Sequence, residues 1–224
     1  MAVQNSDSPK FPRLLICEGP EDRFFFHRLI QERKLPRFHI WDTGARVGHG
    51  GNTKFAQALR AFRASRPKTY ASLKDIVIAA DNDESPQVNF KNVCRQIENV
   101  FGDGTAPTSA QQSTTRIKPA ISILMIPWTG QNGHLEKLCN DSANDSDKKI
   151  GGHVTAFMGL LAASNWKNES RFGKAWLRAN LAARCERDPF VPLGVVFEDD
   201  RNKDLIPVDH KSFDPVANFL SSFE

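Results

Sequence analysis

Two short acidic segments carry the residues best suited to chemistry. Residues 18–22 have the sequence EGPED after the apolar run LLIC, and residues 81–84 have the sequence DNDE after the run DIVIAA. Carboxylates held together in a partly dry site repel one another, and a divalent cation is the simplest way to offset that repulsion. Carboxylate oxygens favour Mg²⁺ or Mn²⁺ over zinc. The two segments together predict a cation site that includes Glu18, Asp81 and Asp83.

Such a site requires the two acidic segments to meet at one edge of a sheet. Apolar runs at 13–17, 38–44, 75–83 and 120–127 have the character of strands and are separated by helical patterns. This alternation predicts an α/β fold, with a central, mainly parallel sheet of about four strands flanked by helices. Ligands bind at the carboxyl ends of the strands in such sheets, so the acidic segments would converge if their strands are neighbours.

The chain divides into three parts by composition. Residues 1–12 are polar and are expected to be disordered. Residues 13–139 are expected to form the α/β core. Residues 140–224 have mainly helical patterns and are expected to form a C-terminal extension packed on that core.

Helix boundaries follow from proline and from capping residues. Pro20 suits the first turn of a helix that runs to about Lys34. Asn52 or Thr53 is the expected N-cap of a second helix. The apolar residues that this helix is expected to bury, spaced three or four apart, are Phe55, Ala58, Leu59 and Phe62. The segment GVVFE at 194–198 indicates a last strand.

The composition is that of a globular protein with a slight basic excess. The 224 residues carry a net charge of +4 and the pI is about 8.9, which is compatible with a nucleic-acid partner. The four cysteines are scattered without a CxxC pair, which argues against a zinc knuckle and against a secreted disulfide framework. There is no signal-peptide core and no apolar run of about 18 residues. A cytoplasmic protein with no membrane span is therefore expected.

Each acidic segment also has an ordinary structural explanation. Glu18 alone could interact with the positive end of the helix that follows it. The run from Asp81 to Glu84 alone could form a helix cap and a turn. The occurrence of both segments after strands of the same predicted sheet favours the cation site.

The order of these motifs resembles the Toprim domain, which is found in topoisomerases, DnaG-type primases, OLD-family nucleases and recombination proteins. In that family a strand-end glutamate and a later Asp-x-Asp pair bind Mg²⁺, and the matching residues are Glu18, Asp81 and Asp83. The form E-G-x-x-D is closest to the OLD-like branch, where a second acid helps to bind metal. The resemblance therefore implies that Asp22 is a ligand, with Glu21 the less favoured choice.

A narrower resemblance covers residues 13–223 apart from the loop at 103–119. LMIPWTGQNGHLEKL and GKAWLRANLAAR are similar to segments of an uncharacterised family of small, stand-alone, Toprim-related prokaryotic proteins. OLD-like enzymes carry a late acidic motif and a late lysine, so the resemblance implies Glu136 as a metal ligand and Lys174 as a catalytic residue. Members of the family often have Asp-Asn where this chain has Trp-Thr at 128–129, which puts an acidic ligand there in doubt.

The resemblance implies Mg²⁺-dependent phosphoryl transfer on nucleic acid, in the form of a Toprim-type nuclease with a role in phage defence or DNA repair. The catalytic residues would be Glu18, Asp81, Asp83 and Lys174, with Lys174 neutralising charge on the phosphate. DNA is favoured over RNA, and a separate ATPase subunit is a candidate partner. The basic residues that could add positive charge for phosphates are Arg23, Arg28, Lys34, Arg46, Lys54, Arg60, Arg63 and Arg66. For any one of them, a solvated helix face is the better explanation.

Two other functions remain open. IVIAADNDES and VVFEDD also resemble motifs of haloacid-dehalogenase-type phosphatases, with Asp81 as the nucleophile and Asp83 as the general acid, but that function leaves EGPED without a role. The second is a non-catalytic Toprim-like module that binds metal or nucleotide and regulates a partner. Many Toprim domains work beside an ATPase or a DNA-gripping domain, so this alternative rests on analogy with the fold.

Overall fold

The computed structural model describes residues 11–44, 54–114, 116–161 and 169–223. The chain forms two compact units that both draw on separated segments. The first unit comprises Met1–Pro20, Arg37–Ala80 and Val88–Met125, and the second comprises Glu21–Pro36, Asp81–Gln87 and Ile126–Glu224. The boundary expected after residue 139 falls inside the second unit.

A five-stranded sheet dominates the first unit, with strand order β2-β1-β3-β5-β4. The strands are β1 (Arg13–Cys17), β2 (His39–Asp42), β3 (Asp75–Asp81), β4 (Ser113–Thr114) and β5 (Ala120–Ile126). β1 pairs in parallel with both β2 and β3, while β4 pairs antiparallel with β5. The predicted α/β class with a mostly parallel, Rossmann-like sheet is confirmed. The additional strand, β4, is only two residues long and lies in a stretch that is polar in sequence.

Apolar side chains hold the first unit together. Leu14, Leu15, Ile76 and Val77 are adjacent pairs on β1 and β3, and all four are fully buried. Neighbouring residues of a strand point to opposite faces, so both faces of this sheet are covered, as continuous apolar runs predict. The helices of this part of the chain are α2 (Phe55–Ser65), α3 (Pro67–Ala71) and α4 (Pro86–Phe101).

Helix α2 buries the stripe that its spacing predicts. Phe55, Ala58, Leu59 and Phe62 are all buried and belong to one hydrophobic cluster with the sheet. The N-cap position is held by Lys54, whose side chain makes no capping hydrogen bond. The predicted caps, Asn52 and Thr53, lie outside the described residues.

The second unit is helical. Its helices are α1 (Pro20–Glu32), α5 (Leu135–Ser146), α6 (Lys148–Leu160), α7 (Glu169–Arg184), α8 (Leu193–Glu198) and α9 (Asp214–Ser221). α5, α6 and α7 pack against one another. Among the described residues, none of the helices has both the length and the apolar character that crossing a membrane requires.

The predicted last strand at 194–198 is wrong, because these residues form α8. Pro192 precedes the helix, and Leu193, Val196 and Phe197 are buried while Val195 is more than one-third exposed. Burial at positions i, i+3 and i+4 is the pattern of a helix face rather than of a strand. The apolar run is too short for its composition alone to separate the two structures.

Arg28 is a structural residue, which corrects its assignment to a phosphate-binding surface. Its side chain is only 8% exposed. Nε donates to the carbonyl oxygen of Phe197 at 2.8 Å, and Nη1 donates to Glu32 at 2.9 Å and to Asp200 at 2.6 Å. The guanidinium therefore ties α1 to α8 and to the segment that follows it.

Candidate acidic site in the second unit

Glu18 lies directly after β1, and its backbone is fixed by a buried threonine. Thr43 Oγ1 donates to the carbonyl oxygen of Glu18 at 2.6 Å, and the Thr43 amide donates to that of Cys17 at 3.0 Å. Because β1 and β3 are adjacent and parallel, they end at the same edge of the sheet. Asp81 is the last residue of β3. Glu18 belongs to the first unit, whereas the other candidate residues belong to the second.

Asn82, between the two predicted ligands of the DND segment, is fully buried and organises the loop after β5. Its amide donates to the carbonyl oxygen of Ile126, and its Nδ2 donates to those of Trp128 and Gln131, each at 2.7 Å. An Asn at this position therefore connects the end of β3 to the segment that leads into α5. The side-chain amide can make these contacts because it carries two donors.

Asp83 has a backbone role in addition to its predicted role as a ligand. Its amide and carbonyl exchange hydrogen bonds with Gly133 at 2.8 and 2.7 Å. Its φ is +46°, in the left-handed region that Asp and Asn tolerate better than most residues. The turn after β3, which was the ordinary structural explanation of this segment, is therefore present. Its presence does not exclude a ligand role for the Asp83 carboxylate.

Helix α5 starts with a buried histidine followed by a partly buried glutamate. His134 is the N-cap residue, and its Nδ1 lies 2.8 Å from Oε2 of Glu136, an ion-pair distance when the imidazole is protonated. Oε1 of Glu136 lies 3.6 Å from Nζ of Lys174. Burial by itself would raise the pKa of Glu136, but the contact with His134 and the charge of Lys174 outweigh it, so the pKa is lowered. Glu136 is consequently held as a carboxylate.

Helix α7 places two cations beside the acids. Lys174 and Arg178 are four residues apart and so share one face of the helix. Nη2 of Arg178 lies 3.5 Å from Oε1 of Glu21, and its Nη1 donates to the carbonyl oxygen of Val191 at 3.1 Å. Sequence reasoning proposed Lys174 but missed Arg178. The four-residue spacing from Lys174 was the pattern that could have identified it.

Close packing of α5 on α7 determines where these cations lie. Nδ2 of Asn140 donates to the carbonyl oxygen of Gly173 at 3.1 Å. A Cβ atom at position 173 would stand 3.3 Å from that nitrogen, tighter than most side-chain contacts. Glycine therefore permits the approach that brings Lys174 to the first turn of α5.

Four carboxylates act electrostatically on the buried thiol of Cys139. Burial raises the pKa of Cys139 well above its ordinary value, and the negative charges of Glu136, Asp22, Glu21 and Asp81 raise it further. Acids from α1, from the end of β3 and from α5 therefore share one electrostatic neighbourhood within the second unit. An acidic environment of this kind favours cations.

The donor chemistry suits Mg²⁺, but the side chains are not gathered into a coordination shell. Among the residues that the structure describes, no three His, Cys, Asp or Glu side chains form a group that could hold a metal ion.

The fold and the acidic neighbourhood define an α/β protein with a mostly parallel sheet and a cluster of carboxylates in its helical unit. The chain belongs to the family described as "Protein of unknown function (DUF3226)", whose model matches residues 12–224. That range includes every candidate site residue. No curated protein and no solved structure gives a significant match.

Proposed function

We propose that this protein is a Mg²⁺-dependent phosphoryl-transfer enzyme that acts on nucleic acid, specifically a nuclease of the Toprim type. The observation that supports the proposal is that four carboxylates, Glu21, Asp22, Asp81 and Glu136, all act electrostatically on Cys139, while the ammonium of Lys174 lies 3.6 Å from Glu136. The four acids come from α1, from the end of β3 and from α5, and a purely structural role does not require four like charges near one thiol.

Oxygen ligands in the second unit would come from Asp22, Asp81, Asp83 and Glu136, and Glu18 remains a ligand predicted by resemblance. A bound Mg²⁺ would supply Lewis-acid stabilisation of a phosphate oxygen and activation of water. Lys174 is half exposed, with 51% of its side chain accessible, so its ammonium is open to a phosphate oxygen. Its role would be to stabilise negative charge that develops on the phosphate.

The proposal has consequences for partners and for location. DNA is the favoured substrate, in the cytoplasm, and a separate ATPase subunit is a candidate partner that would load or move the substrate. A role in phage defence or DNA repair would follow from that chemistry.

A second candidate function is a non-catalytic module that binds metal or nucleotide and regulates a partner. This alternative rests on analogy with Toprim domains that work beside an ATPase or a DNA-gripping domain. The phosphatase alternative loses support, because VVFE is helical and its later acidic pair does not follow a strand.

Calorimetric titration with Mn²⁺ tests the proposal directly. We expect saturable binding to the wild type and loss of binding in Asp81→Asn and in Glu136→Gln, with Asp103→Asn as the matched control because Asp103 is exposed in the first unit. Labelled single- and double-stranded DNA and RNA would then be assayed for cleavage with and without Mn²⁺. Binding without cleavage of any substrate would favour the regulatory module. A wild type that binds no Mn²⁺ with or without oligonucleotide would overturn the nuclease and would leave only a nucleotide-binding form of the regulatory module.

A further inference from the structure

We propose that Lys174 and Arg178 form a binding site for two successive phosphates of a nucleic-acid strand, and that Glu21 occupies the Arg178 guanidinium until a phosphate displaces it. This inference rests on the proposed function and names the residues that would hold its substrate. The two side chains are separated by four residues on α7, roughly 6 Å along the helix axis. That separation is comparable to the distance between neighbouring phosphates of one strand.

Both cations are accessible, and Arg178 is also anchored by a hydrogen bond. The side chains of Lys174 and Arg178 are 51% and 53% exposed. The carbonyl oxygen of Val191 accepts from Nη1 of Arg178, which limits the freedom of the guanidinium. A guanidinium carries five N–H donors in a planar fork, so the donors left over can meet two oxygens of a phosphate. Partial anchoring also lowers the entropy lost when the phosphate binds.

The acidic partners of these cations are loosely bound. The Lys174–Glu136 and Arg178–Glu21 contacts measure 3.6 and 3.5 Å. Two arginines with structural roles in the same unit, Arg28 and Arg33, contact carboxylates at 2.6 Å. Charge-assisted hydrogen bonds are usually about 2.7–2.9 Å long, and exposed ion pairs contribute about 0–1 kcal/mol. A phosphate can therefore replace Glu21 at little cost.

Replacement of Glu21 and Glu136 by phosphates would also leave these carboxylates available to a cation. While Arg178 faces Glu21 and Lys174 faces Glu136, the cations offset part of the acidic charge. When they turn to phosphates, that offset is lost and the carboxylates become better ligands. Nucleic acid and a divalent cation should therefore bind with positive coupling, and the coupling must be equal in both directions.

Fluorescence anisotropy with the full chain and a labelled single-stranded DNA, in EDTA, tests the phosphate site without metal. We expect Arg178→Gln and Lys174→Gln each to lower the affinity and to reduce the slope of log K against log salt by about 0.7, the value for one phosphate contact on a single strand. Arg178→Lys should retain part of the affinity, because lysine keeps the charge but lacks the fork. Arg201→Gln is the matched control, since Arg201 is an exposed arginine of the second unit, and its slope should equal that of the wild type.

Glu21→Gln distinguishes displacement from a structural ion pair. Removing the carboxylate that competes with phosphate should raise the DNA affinity more than Asp103→Asn, which removes one negative charge in the first unit. An affinity that falls in Glu21→Gln, with a lowered unfolding midpoint, would mean that the pair is structural and would overturn the inference.

The outcomes separate this inference from the proposed function. If the wild type binds DNA and the Arg178 and Lys174 variants keep its salt slope, the phosphate site is wrong and the nuclease proposal stands. If the wild type binds no single- or double-stranded DNA or RNA, either in EDTA or with Mn²⁺, both fail. Circular dichroism of each variant confirms folding, and Lys174→Gln alone decides the question if Arg178 variants do not fold.

Discussion

The interiors of the two units differ in the polar groups that they bury. In the first unit the buried polar residues are mostly small hydroxyl side chains, such as Thr43, Thr69 and Ser122, within a large apolar cluster. The buried polar residues of the second unit are larger and include Arg28, Asn82, His134, Asn180 and Asn202. Hydrophobic burial is non-directional, whereas these larger groups require specific partners.

This difference shows how the second unit can carry a chemical site. Directional contacts such as those of Asn82 and Arg28 hold segments that are distant in sequence at defined positions, and most candidate acids lie on those segments. The first unit supplies the sheet, whose stability depends on area and packing. We expect substitutions in the two units to differ accordingly.

The largest effect is expected from Phe62→Ala in the first unit. Phe62 is almost fully buried and makes an edge contact with Trp41 at a centroid distance of 5.4 Å. Removing it should lower the free energy of unfolding by about 3–5 kcal/mol, measured by urea denaturation. Phe190→Ala is the control, because Phe190 is 90% exposed, and it should change little. An equal loss of unfolding free energy in the two variants would show that burial of apolar side chains does not stabilise the first unit as we expect.

Arg28→Met should have the next largest effect, by removing directional contacts from the second unit. The variant loses hydrogen bonds to Phe197, Glu32 and Asp200 and leaves a buried carbonyl without its donor. We expect a loss of about 2–3 kcal/mol, measured in the same way. Arg201→Met, at an exposed arginine that pairs with Asp199, should cost clearly less. If Arg28→Met and Arg201→Met lose the same free energy of unfolding, then burial does not determine how much an arginine contributes to stability.

A smaller loss is expected from Asn82→Ala, which removes the connection between the end of β3 and the loop before α5. The carbonyl oxygens of Trp128 and Gln131 lose their donor from a buried side chain, so the free energy of unfolding should fall by about 1–2 kcal/mol. Hydrogen exchange at the Gly133 amide, which donates to Asp83, should also accelerate. Asn218→Ala on the exposed side of α9 is the control. Unchanged exchange at Gly133 would show that the loop does not depend on Asn82.

The pH dependence of Glu136 should give the smallest effect. Its folded-state pKa is lowered, so its ionised form stabilises the fold at pH values above the ordinary glutamate value of 4.5. That contribution is lost as the pH falls through the lowered pKa. Wild type should therefore be more stable than Glu136→Gln at pH 7, and the difference should shrink at acidic pH. A difference in stability that is constant from pH 7 down to acid would contradict the ion-pair assignment.

Local patterns account for the parts that were predicted correctly. The strands β1, β3 and β5 are continuous apolar runs, and α2 has its apolar residues three and four apart, so each element follows from its own residues. The segment GVVFE was misassigned because its five residues, which include β-branched and aromatic side chains, fit both the two-residue period of a strand and the 3.6-residue period of a helix. The predicted ligands Glu18, Asp81, Asp83 and Glu136 stand at strand ends and at a helix start, as their local sequence indicates, and their role as ligands stays a prediction. That acids of α1, of the end of β3 and of α5 act together on Cys139 depends on packing.

The sequence by itself determined the α/β class, the strands β1, β2, β3 and β5, the apolar face of α2 and the positions of the acidic motifs. Those features depend on neighbouring residues and on side-chain periodicity, which the chain order contains. Tertiary structure alone decided that Arg28 is buried, that Asn82 holds the loop before α5 and that Arg178 faces Glu21. The last two residues are 157 positions apart, so their contact depends on how helices pack, and no local pattern encodes that packing.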